Sequence, residues 1–349
     1  MSKRIIFVLI AVQFVFVYLC GVSFGISFAK EREGEVVFKV SIQAPEDSKD
    51  IKLWIPYPVS DNEQKIENVK IDGNFSKSAV YSQKIENDRA IYAEWDKPAK
   101  ERVLTFTFKA KAVERVRKDF LANNLSQESD IPKEIRKYMI GSEFTPTDGK
   151  IKEIALNVTT GRETILEKAT VVYDWVVENT FRDPNVQGCG TGDVERILAE
   201  KGGKCADISS VFVSVARAAG VPAREVFGLR LGKKAEEDMT GGHHCWAEFY
   251  LPGYGWVPVD PADVRKAMLA ENLDLEAAKK YRDYFFGAVD EYRIVLVRGE
   301  KGYTLSPKQN NAPLAYFMYP YAEVNGKALE WLAAQKELKY QITFKEKSQ

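Results

Sequence analysis

The sequence predicts an α+β protein in which a sheet-rich first part precedes a mixed core. Short strand-like runs separated by turn clusters occupy residues 36–113, which is typical of an antiparallel β-sandwich. Helical periodicity begins near residue 131 and then alternates with strands. The predicted parts are an N-terminal segment over 1–29, a β-sandwich domain over 30–115, a mixed core over 116–290 and a C-terminal β segment over 291–349 that packs on the core.

The composition allows a folded core and speaks against nucleic-acid binding. Hydrophobic residues make up 45% of the 349 residues, which is enough to bury a proper interior. Lysine plus arginine and aspartate plus glutamate number 50 each, so the formal net charge is zero. A neutral chain has no overall field that would attract a polyanion, and we therefore predict no nucleic-acid partner.

The first residues predict export from the cytoplasm. A short basic start is followed by the uncharged run Ile5–Phe28 and an abrupt polar turn at Lys30–Glu35, the layout of a secretory signal with a cleavage site after Ala29. The uncharged run also exceeds the roughly 20 residues that span a bilayer as an uncleaved anchor, and Cys20 leaves lipid attachment open. Periplasmic, secreted and membrane-anchored locations all follow, with membrane contact only through this segment.

Each part of the chain has its own pattern. Predicted strands of the first domain are Val37–Ile42, Ile51–Ile55, Ile91–Trp95 and Val103–Ala110. Predicted core elements are helices at Pro132–Met139, Lys150–Leu156 and Glu163–Thr180, strands at 224–231, 244–251 and 255–259, and a charged helix at 264–283. The C-terminal strands are Tyr292–Val297 and Leu338–Phe344.

Three cysteines remain if the N-terminal segment is removed, and an odd number in an oxidising compartment points to a free thiol. They are Cys189, Cys205 and Cys245. Three small buried hydrophobic residues are one interpretation. A redox pair of Cys189 with either other cysteine, and a Cys189–Cys245 disulfide, are further ones. No C-x-x-C pair occurs, so no structural metal is predicted.

Cys205 lies at the predicted start of a buried helix. The pair Gly202–Gly203 precedes it, and apolar residues at helical spacing between Ile208 and Ala219 form one buried stripe. Gly220 then ends the helix. The partial positive charge of a helix N-terminus favours a thiolate, and its free N–H groups can hold an oxyanion.

The only two histidines of the sequence, His243 and His244, lead into a strand whose two faces differ. Alternation places Cys245, Ala247, Phe249 and Leu251 on an apolar face, and His244, Trp246, Glu248 and Tyr250 on a polar and aromatic face. Cys245 is thus predicted in the core and His244 in a cleft, as a base for Cys205. Adjacent residues that point apart also disfavour a metal site.

The partner of His244 depends on the register of the next hairpin. A four-residue loop at 252–255 would place Asp263 opposite His244. An odd loop pairs Asp260 with Trp246 and so places Asp260 diagonal to His244 on the same face. We expect the odd loop, because its glycines supply the positive φ that such turns need.

Three further side chains are considered for the site: two of them have two interpretations each, and one has a structural interpretation. Gln187, in the Gly-rich loop before Cys205, is a candidate oxyanion donor or an ordinary loop amide. Trp246 would shield the site from water or simply pack in the strand. Glu248 is expected to form a structural salt bridge to Arg217 or Arg224.

The motifs together resemble the transglutaminase-like superfamily. They are Gly203-x-Cys205, Arg217-Ala218-x-Gly220-Val221-Pro222-Ala223-Arg224, His244-x-Trp246-x-Glu248 and Gly255-Trp256-x-x-x-Asp260-Pro261, in the order of the family. The resemblance covers about residues 160–265 and implies a papain-like α+β core with a Cys-His-Asp triad. It implies Cys205 as nucleophile, His244 as base and acid, and Asp260 as the residue that orients the imidazole.

The resemblance implies a thioester formed from an amide, without a cofactor, but leaves the acceptor open. Water as acceptor makes the protein a peptidase or amidase acting on peptide or isopeptide bonds, which an exported chain favours. An amine as acceptor makes it a protein-glutamine transglutaminase. A non-catalytic envelope binding module of the same fold is the third alternative. The acidic run Glu236–Asp238 is too short to resemble the calcium loops of animal transglutaminases.

Overall fold

The structure, a computed structural model, describes residues 29–83, 87–121, 131–299, 301–333 and 336–347. Its α-helices are α1 (Gly149–Val158), α2 (Ile165–Asn179), α3 (Val194–Glu200), α4 (Cys205–Ala218), α5 (Pro261–Glu271) and α6 (Lys279–Phe285), and 3-10 turns lie at Asp119–Leu121 and Arg136–Met139. Its strands are β1 (Glu31–Ile42), β2 (Ile51–Tyr57), β3 (Gln64–Gly73), β4 (Lys77–Ser82), β5 (Arg89–Trp95), β6 (Arg102–Val113), β7 (Arg115–Val116), β8 (Phe181–Arg182), β9 (Gly202–Gly203), β10 (Ala223–Arg230), β11 (Glu236–Asp238), β12 (His243–Leu251), β13 (Gly255–Val259), β14 (Ala288–Val289), β15 (Arg293–Gly299), β16 (Tyr321–Val324), β17 (Lys327–Ala328) and β18 (Leu338–Glu346).

Two five-stranded antiparallel sheets form the sandwich at the start of the chain. Sheet I has the order β3-β6-β1-β18-β11, and sheet II has the order β4-β5-β2-β16-β17. Along β6 nearly every second side chain is buried. The ring of Tyr57 in β2 stacks on Phe106 in β6, with centroids 5.7 Å apart. The apolar side chains at every second position of these strands therefore point inward, and the interior of the sandwich lies between the two sheets.

The C-terminal stretch is distributed over all three large sheets, which differs from the predicted C-terminal segment over 291–349. Strand β15 joins the core sheet, β16 and β17 complete sheet II, and β18 lies inside sheet I between β1 and β11. The β1–β18 ladder runs from Gly34 opposite Glu346 to Ile42 opposite Leu338. Strand periodicity shows which face of a strand is buried but not which distant strand it pairs with, so the sequence could not place these strands.

The core sheet, with the order β13-β12-β10-β15, packs on helix α4. Helices α1, α2, α3 and α5 surround the other sides of α4, so every residue from Cys205 to Ala218 is buried. The predicted single apolar stripe is thus part of a helix buried on its whole circumference. Gly220, with φ +84°, follows the helix, and its N–H donates to the carbonyl of Arg217 at 2.9 Å. The predicted helix end is confirmed.

Two predicted helices differ from the structure. Residues 132–139 form turns and the 3-10 helix Arg136–Met139 instead of an α-helix. The charged helix predicted at 264–283 is two helices, α5 and α6, because Asn272 adopts the left-handed conformation at φ 52° and ends α5. Asparagine tolerates this conformation better than other non-glycine residues, so its short polar side chain marks the break.

The predicted signal or anchor falls outside the described residues except for Ala29. Among the residues that the structure describes, no helix is long and apolar enough to cross a membrane.

Candidate active site

Cys205 is the first residue of α4 and is 2% exposed. Gly202 and Gly203 precede it as the short strand β9, which pairs in parallel with β8. This pairing directs the chain straight into the helix, so the thiol lies at the positive end of fourteen aligned peptide dipoles. The predicted place of Cys205 is therefore the observed one.

A buried carboxylate joins the N-terminus of α4 to the loop between β8 and α3. Asp207 accepts hydrogen bonds from the N–H groups of Lys204 at 3.0 Å and Gly192 at 2.8 Å. A Cβ on Gly190 would lie 1.9 Å from Asp207 Oδ2, and Gly190 has φ +88°. Only a glycine allows the loop this close to the carboxylate. Burial raises the pKa of Asp207, which these N–H bonds partly offset.

His244 and Asp260 meet through the hairpin of β12 and β13. Leu251 pairs with Gly255, so the loop has three residues and the predicted odd register is confirmed. His244 Nε2 lies 2.7 Å from Asp260 Oδ2, whereas the distance from Nε2 to Asp263 Oδ1 is 3.7 Å. Asp260 also caps α5, since its Oδ1 accepts from the N–H of Asp263 at 2.8 Å. The cap fixes the carboxylate before it meets the imidazole.

A buried ionic network surrounds Asp260. Arg293 donates to Asp260 Oδ2, to Asp263 Oδ2 at 2.8 Å and to Asp290 Oδ2 at 3.3 Å, while Arg230 donates to Asp263. Both Asp260 and Arg293 are essentially unexposed. Three carboxylates and two guanidinium groups leave one uncompensated negative charge next to His244, which a protonated imidazole neutralises.

The pKa of His244 follows from this charge balance. Burial and Arg230 favour the neutral ring, but the carboxylates of Asp263 and Asp260 outweigh them and raise the pKa of His244 above its ordinary value. The guanidinium groups of Arg230 and Arg293 hold the pKa of Asp263 far below its usual range despite burial. His244 is thus set to carry a proton while Asp263 stays ionised.

The thiol of Cys205 has the complementary shift. Burial opposes ionisation, yet hydrogen bonds from Cys189, Cys245 and His244, with the charge of His244, hold the pKa of Cys205 well below its ordinary value. A thiolate next to an imidazolium is the reactive form of a cysteine nucleophile. With Nε2 of His244 held by Asp260, Nδ1 is the ring nitrogen left for proton exchange.

All three described cysteines converge at this point. The sulfur atoms of Cys189, Cys205 and Cys245 lie within 4.8 Å of one another, and all three are free thiols. The Cys189–Cys245 disulfide considered from the sequence is therefore not formed. Cys245 is unexposed, as predicted, and its Sγ lies 3.7 Å from Met318 Sδ. It nevertheless reaches the nucleophile, because Cys205 lies over the beginning of β12, where adjacent side chains both approach it.

His243 has a different environment from His244. Its ring packs on Tyr319 with centroids 4.4 Å apart, and on Tyr340 at 5.9 Å. Burial lowers the pKa of His243 to about 4, so this ring is neutral at physiological pH. The assignment of His244 over His243 as the ring beside Asp260 agrees with the geometry.

Trp246 and Gln187 do not line an open cleft. Of the two interpretations given for each from the sequence, the structure agrees with packing for Trp246 and with an ordinary loop amide for Gln187. Trp246 is unexposed, and its ring lies between Arg115 at 5.7 Å and Arg293 at 5.5 Å, with the His244 ring 6.2 Å away. Gln187 is exposed and donates to the carbonyl of Leu332 at 3.1 Å. The strand face that looked open is covered, because buried arginines can pack on an aromatic ring.

Glu248, farther along the same strand, forms the expected structural salt bridge. It accepts from Arg224 Nε and Nη2 at 2.8 Å each, and the guanidinium of Arg224 lies 3.9 Å from the Trp256 ring centroid. This salt bridge links β10 to β12 four residues after His244.

Two clusters among the described residues have donor atoms at metal-ligand spacing. One is the three thiols, and the other comprises His244, Asp260 and Asp263. In the second cluster, Arg293 and Arg230 already occupy the carboxylates, and their charges disfavour a cation.

Sequence patterns did not reveal Arg293 or Asp207 as parts of the site, and they offered Cys189 only as a member of a redox pair or a disulfide. Arg293 had one available signal, since it is the only charged residue within the otherwise apolar run Tyr292–Val297 and a buried charge needs a partner. Asp207 is the N3 residue of α4, a position where a carboxylate satisfies free N–H groups. Cys189 had no local signal, because its contacts come from distant parts of the chain.

Comparisons with known proteins agree with this geometry. The profile of the transglutaminase-like superfamily matches residues 152–261, which include the three residues Cys205, His244 and Asp260. An uncharacterized protein of Haemophilus influenzae is 37% identical over 319 residues, which cover 84% of this chain and 85% of that protein. A protein-glutamine gamma-glutamyltransferase of Pseudomonas aeruginosa is 32% identical over 90 residues, or 24% of this chain and 13% of the relative.

The fold also matches a solved structure. A Cytophaga hutchinsonii protein described as a candidate cysteine protease superposes with a TM-score of 0.55 at 13% identity, over 91% of this chain and 99% of that one. At this identity the likeness concerns the fold, and it includes the sandwich as well as the core. From its motif order, its site geometry and these matches, the chain belongs to the transglutaminase-like superfamily.

Proposed function

We propose that the protein is a cysteine-dependent acyl-transfer enzyme that hydrolyses peptide or isopeptide amide bonds. The observation that carries the proposal is the arrangement of Cys205 at the N-terminus of α4 beside His244, whose Nε2 lies 2.7 Å from Asp260 Oδ2. The pKa directions of the thiol and the imidazole both favour the thiolate–imidazolium pair.

In the proposed reaction the Cys205 thiolate attacks the amide carbonyl carbon. Backbone N–H groups at the start of α4 stabilise the negative oxygen, and His244 donates its proton to the leaving amine. The acyl group is then a thioester on Cys205. His244, now neutral, takes a proton from water, whose oxygen attacks the thioester and releases the carboxylic acid and the thiolate. Asp260 keeps the imidazole oriented through both steps.

The test is hydrolysis of peptide and isopeptide libraries by wild type and triad variants, in the presence of a reductant. We expect Cys205→Ala to lose at least about a thousandfold in kcat, and Asp260→Asn roughly a hundredfold to ten-thousandfold. A thiol-reactive probe applied across pH should label wild-type Cys205 well below pH 8. Unaltered hydrolysis by Cys205→Ala, or an ordinary titration of that thiol, would refute the proposal.

Transfer to an amine is the second candidate, and the partial match to a protein-glutamine gamma-glutamyltransferase favours it. The same thioester would be attacked by a lysine side chain instead of water. A labelled primary amine offered together with a glutamine-containing protein separates the two reactions. Incorporation faster than hydrolysis would make the enzyme a transglutaminase, and the absence of both reactions would leave a non-catalytic envelope binding module.

We also propose that the protein acts outside the cytoplasm, on protein or peptide substrates. The support is the uncharged run Ile5–Phe28 between a basic start and a polar continuation. Mass analysis of the mature chain from fractionated cells tests this proposal. A chain that keeps its first residues and stays in the cytoplasmic fraction would contradict it.

A further inference from the structure

The proposed reaction uses one thiol, but two more lie against it. Cys189 lies on the loop between β8 and α3, and its sulfur is within 4.8 Å of the sulfur of Cys205. We propose that Cys189 is a resolving cysteine: after a peroxide oxidises Cys205 to a sulfenic acid, Cys189 attacks that sulfur and closes a reversible Cys189–Cys205 disulfide. This rests on the proposed function only in assigning the reactive thiolate to Cys205.

A backbone hydrogen bond already holds Cys189 beside the start of α4. The carbonyl of Cys189 accepts from the N–H of Ala206, the residue after Cys205, at 2.9 Å. A disulfide needs its two Cα atoms about 4.4–6.8 Å apart, and this bond keeps the backbone of Cys189 next to that of Cys205. The sulfur atoms therefore have to close by a few ångströms at most, without a change of fold.

The loop that carries Cys189 can make this movement. Gly188, with φ +54°, and Gly190, with φ +88°, flank the cysteine. Cys189 Sγ donates to the carbonyl of His243 at 3.3 Å. Rotation of its side chain toward Cys205 breaks this hydrogen bond and leaves the Ala206 hydrogen bond in place.

Cys245 is less suited to the same step. It lies within β12, where it pairs with Phe227 of β10, and it is unexposed against Met318. The pairing of β12 with β10 at this position holds its backbone, so its sulfur has less freedom to move than that of Cys189 on its loop. Cys205 and Cys189 are 2% and 4% exposed, which places the reaction at the outer side of the cluster.

The chemistry balances with peroxide as the two-electron oxidant. The Cys205 thiolate attacks one peroxide oxygen and becomes Cys205–SOH, while hydroxide leaves. Cys189 then loses its proton and attacks the sulfenic sulfur, and the departing hydroxide takes up a proton to leave as water. The products are the disulfide and water, and a dithiol such as dithiothreitol reverses the change.

The charges favour this order of events. A hydrogen bond to Cys205 is the largest cause that raises the pKa of Cys189, and the negative charge of Cys205 adds to it. Cys189 therefore stays protonated while Cys205 is a thiolate. Oxidation to a neutral sulfenic acid removes the negative charge of Cys205, while the hydrogen bonds of Cys245 and Tyr319 that lower the pKa of Cys189 remain. The resolving thiol is therefore easier to ionise after the nucleophile has been oxidised.

The test treats reduced protein with hydrogen peroxide, blocks free thiols by alkylation and maps the products by mass spectrometry without reduction. Wild type and the Cys245→Ala control should both form the Cys189–Cys205 disulfide. Cys189→Ala, and Cys189→Ser in case the first variant folds poorly, should instead accumulate sulfinic and sulfonic acid at Cys205. Dithiothreitol should restore free Cys205 in wild type and not in the Cys189 variants.

A wild-type protein that ends as the sulfinic acid, or whose disulfide contains Cys245, would overturn the inference. Hydrolysis by the reduced protein is measured separately. A mapped Cys189–Cys205 disulfide without any acyl transfer would refute the proposed function and leave this inference standing. Robust hydrolysis with no disulfide would do the reverse.

Discussion

At the scale of single residues, Arg293 is the side chain whose removal best tests how the site is held. It contacts Asp260, Asp263 and Asp290 but not the proposed nucleophile, so we regard it as a positioning residue. Arg293→Lys keeps the charge and loses the planar fork. We expect a ten- to hundredfold loss in kcat with little change in KM, and an unchanged pH profile.

Arg293→Met is the matched variant that removes the charge. The loss of a cation beside Asp260 and Asp263 stabilises the imidazolium, so the alkaline limb of the pH profile should move to higher pH. Breaking a buried pair also costs about 3–5 kcal/mol of folding free energy. Identical pH profiles for the Lys and Met variants would mean that Arg293 supports the fold and not the protonation of His244.

The lowered pKa of His243 predicts how the free energy of unfolding depends on pH. Its pKa of about 4 in the folded protein lies below the unfolded value of about 6.5, so the folded state binds fewer protons between these values. The stability is fully present above pH 6.5 and is lost as the pH falls toward 4, by up to about 3 kcal/mol. The raised pKa of His244 acts in the opposite sense, above pH 6.5, and does not enter this window.

The measurement is urea unfolding of wild type and His243→Phe at pH 6.5 and pH 4.5. Phenylalanine keeps the aromatic packing on Tyr319 and Tyr340 and cannot titrate. The wild type should lose roughly 2–3 kcal/mol more than the variant between the two pH values. Equal losses would show that His243 is not buried as a neutral ring.

Sequence patterns predicted Cys205, His244 and Asp260, which lie on neighbouring elements of the core. Strand alternation separated Cys245 from His244, and the loop length put Asp260 beside the imidazole. They could not predict Arg293, because Asp260 caps α5 just after β13, and Arg293 lies on β15 at the opposite edge of the core sheet. Burial of Trp246 between two arginines likewise depends on side chains far away along the chain.

At the scale of elements, the loop between β8 and α3 is held against α4 by the close approach of Gly190 to Asp207. Gly190→Ala adds a Cβ 1.9 Å from a carboxylate oxygen at φ +88°. Gly220→Ala is the control, since its φ is +84° and nothing lies within 4 Å of the added Cβ. Both changes cost about 1–2 kcal/mol of backbone strain.

Only Gly190→Ala should also displace the loop and lower hydrolysis. Urea unfolding and kcat of both variants provide the measurement. If the two variants lost equal stability and kept equal activity, the contact of the loop with Asp207 would have no part in holding the nucleophile.

Element boundaries show where local patterns suffice. The start of α4 and its end before Gly220 were predicted because glycines bracket a long apolar periodicity. The helix predicted at 264–283 is interrupted at Asn272, and residues 132–139 form a tighter turn. The break at Asn272 has a local signal, whereas residues 132–139 permit a helix by their sequence and instead form a turn in which Tyr138 packs on Trp256.

At the scale of the whole molecule, the last strand is an interior strand of sheet I. Strand β18 pairs with β1 along its full length and with β11 on its other side. A chain that ends at Ala333 leaves β1 without this partner and exposes the interior of the sandwich. We expect it to aggregate or to unfold without a cooperative transition, whereas a chain that ends at Lys347 should unfold like wild type.

Thermal unfolding followed by circular dichroism checks this pair of chains. A cooperative transition of the shorter chain near the wild-type temperature would contradict the expectation. The sequence predicted a sandwich and a mixed core, but not the path of the chain between them. The strands after β14 return to all three large sheets, and such returns leave no trace in local periodicity.

The pairing of β11 with β18 also sets an order in time. Strand β11 has β18 as its sheet neighbour among the described strands, and just after it the N–H of Met239 donates to Ile342 at 2.7 Å. His243 and His244 follow within a few residues. A chain growing from the ribosome or threading through an export channel therefore lacks the strand neighbour of β11 until residues 338–346 have arrived. The segment that leads into His243 and His244 is thus among the last described parts of the protein to reach its final sheet pairing.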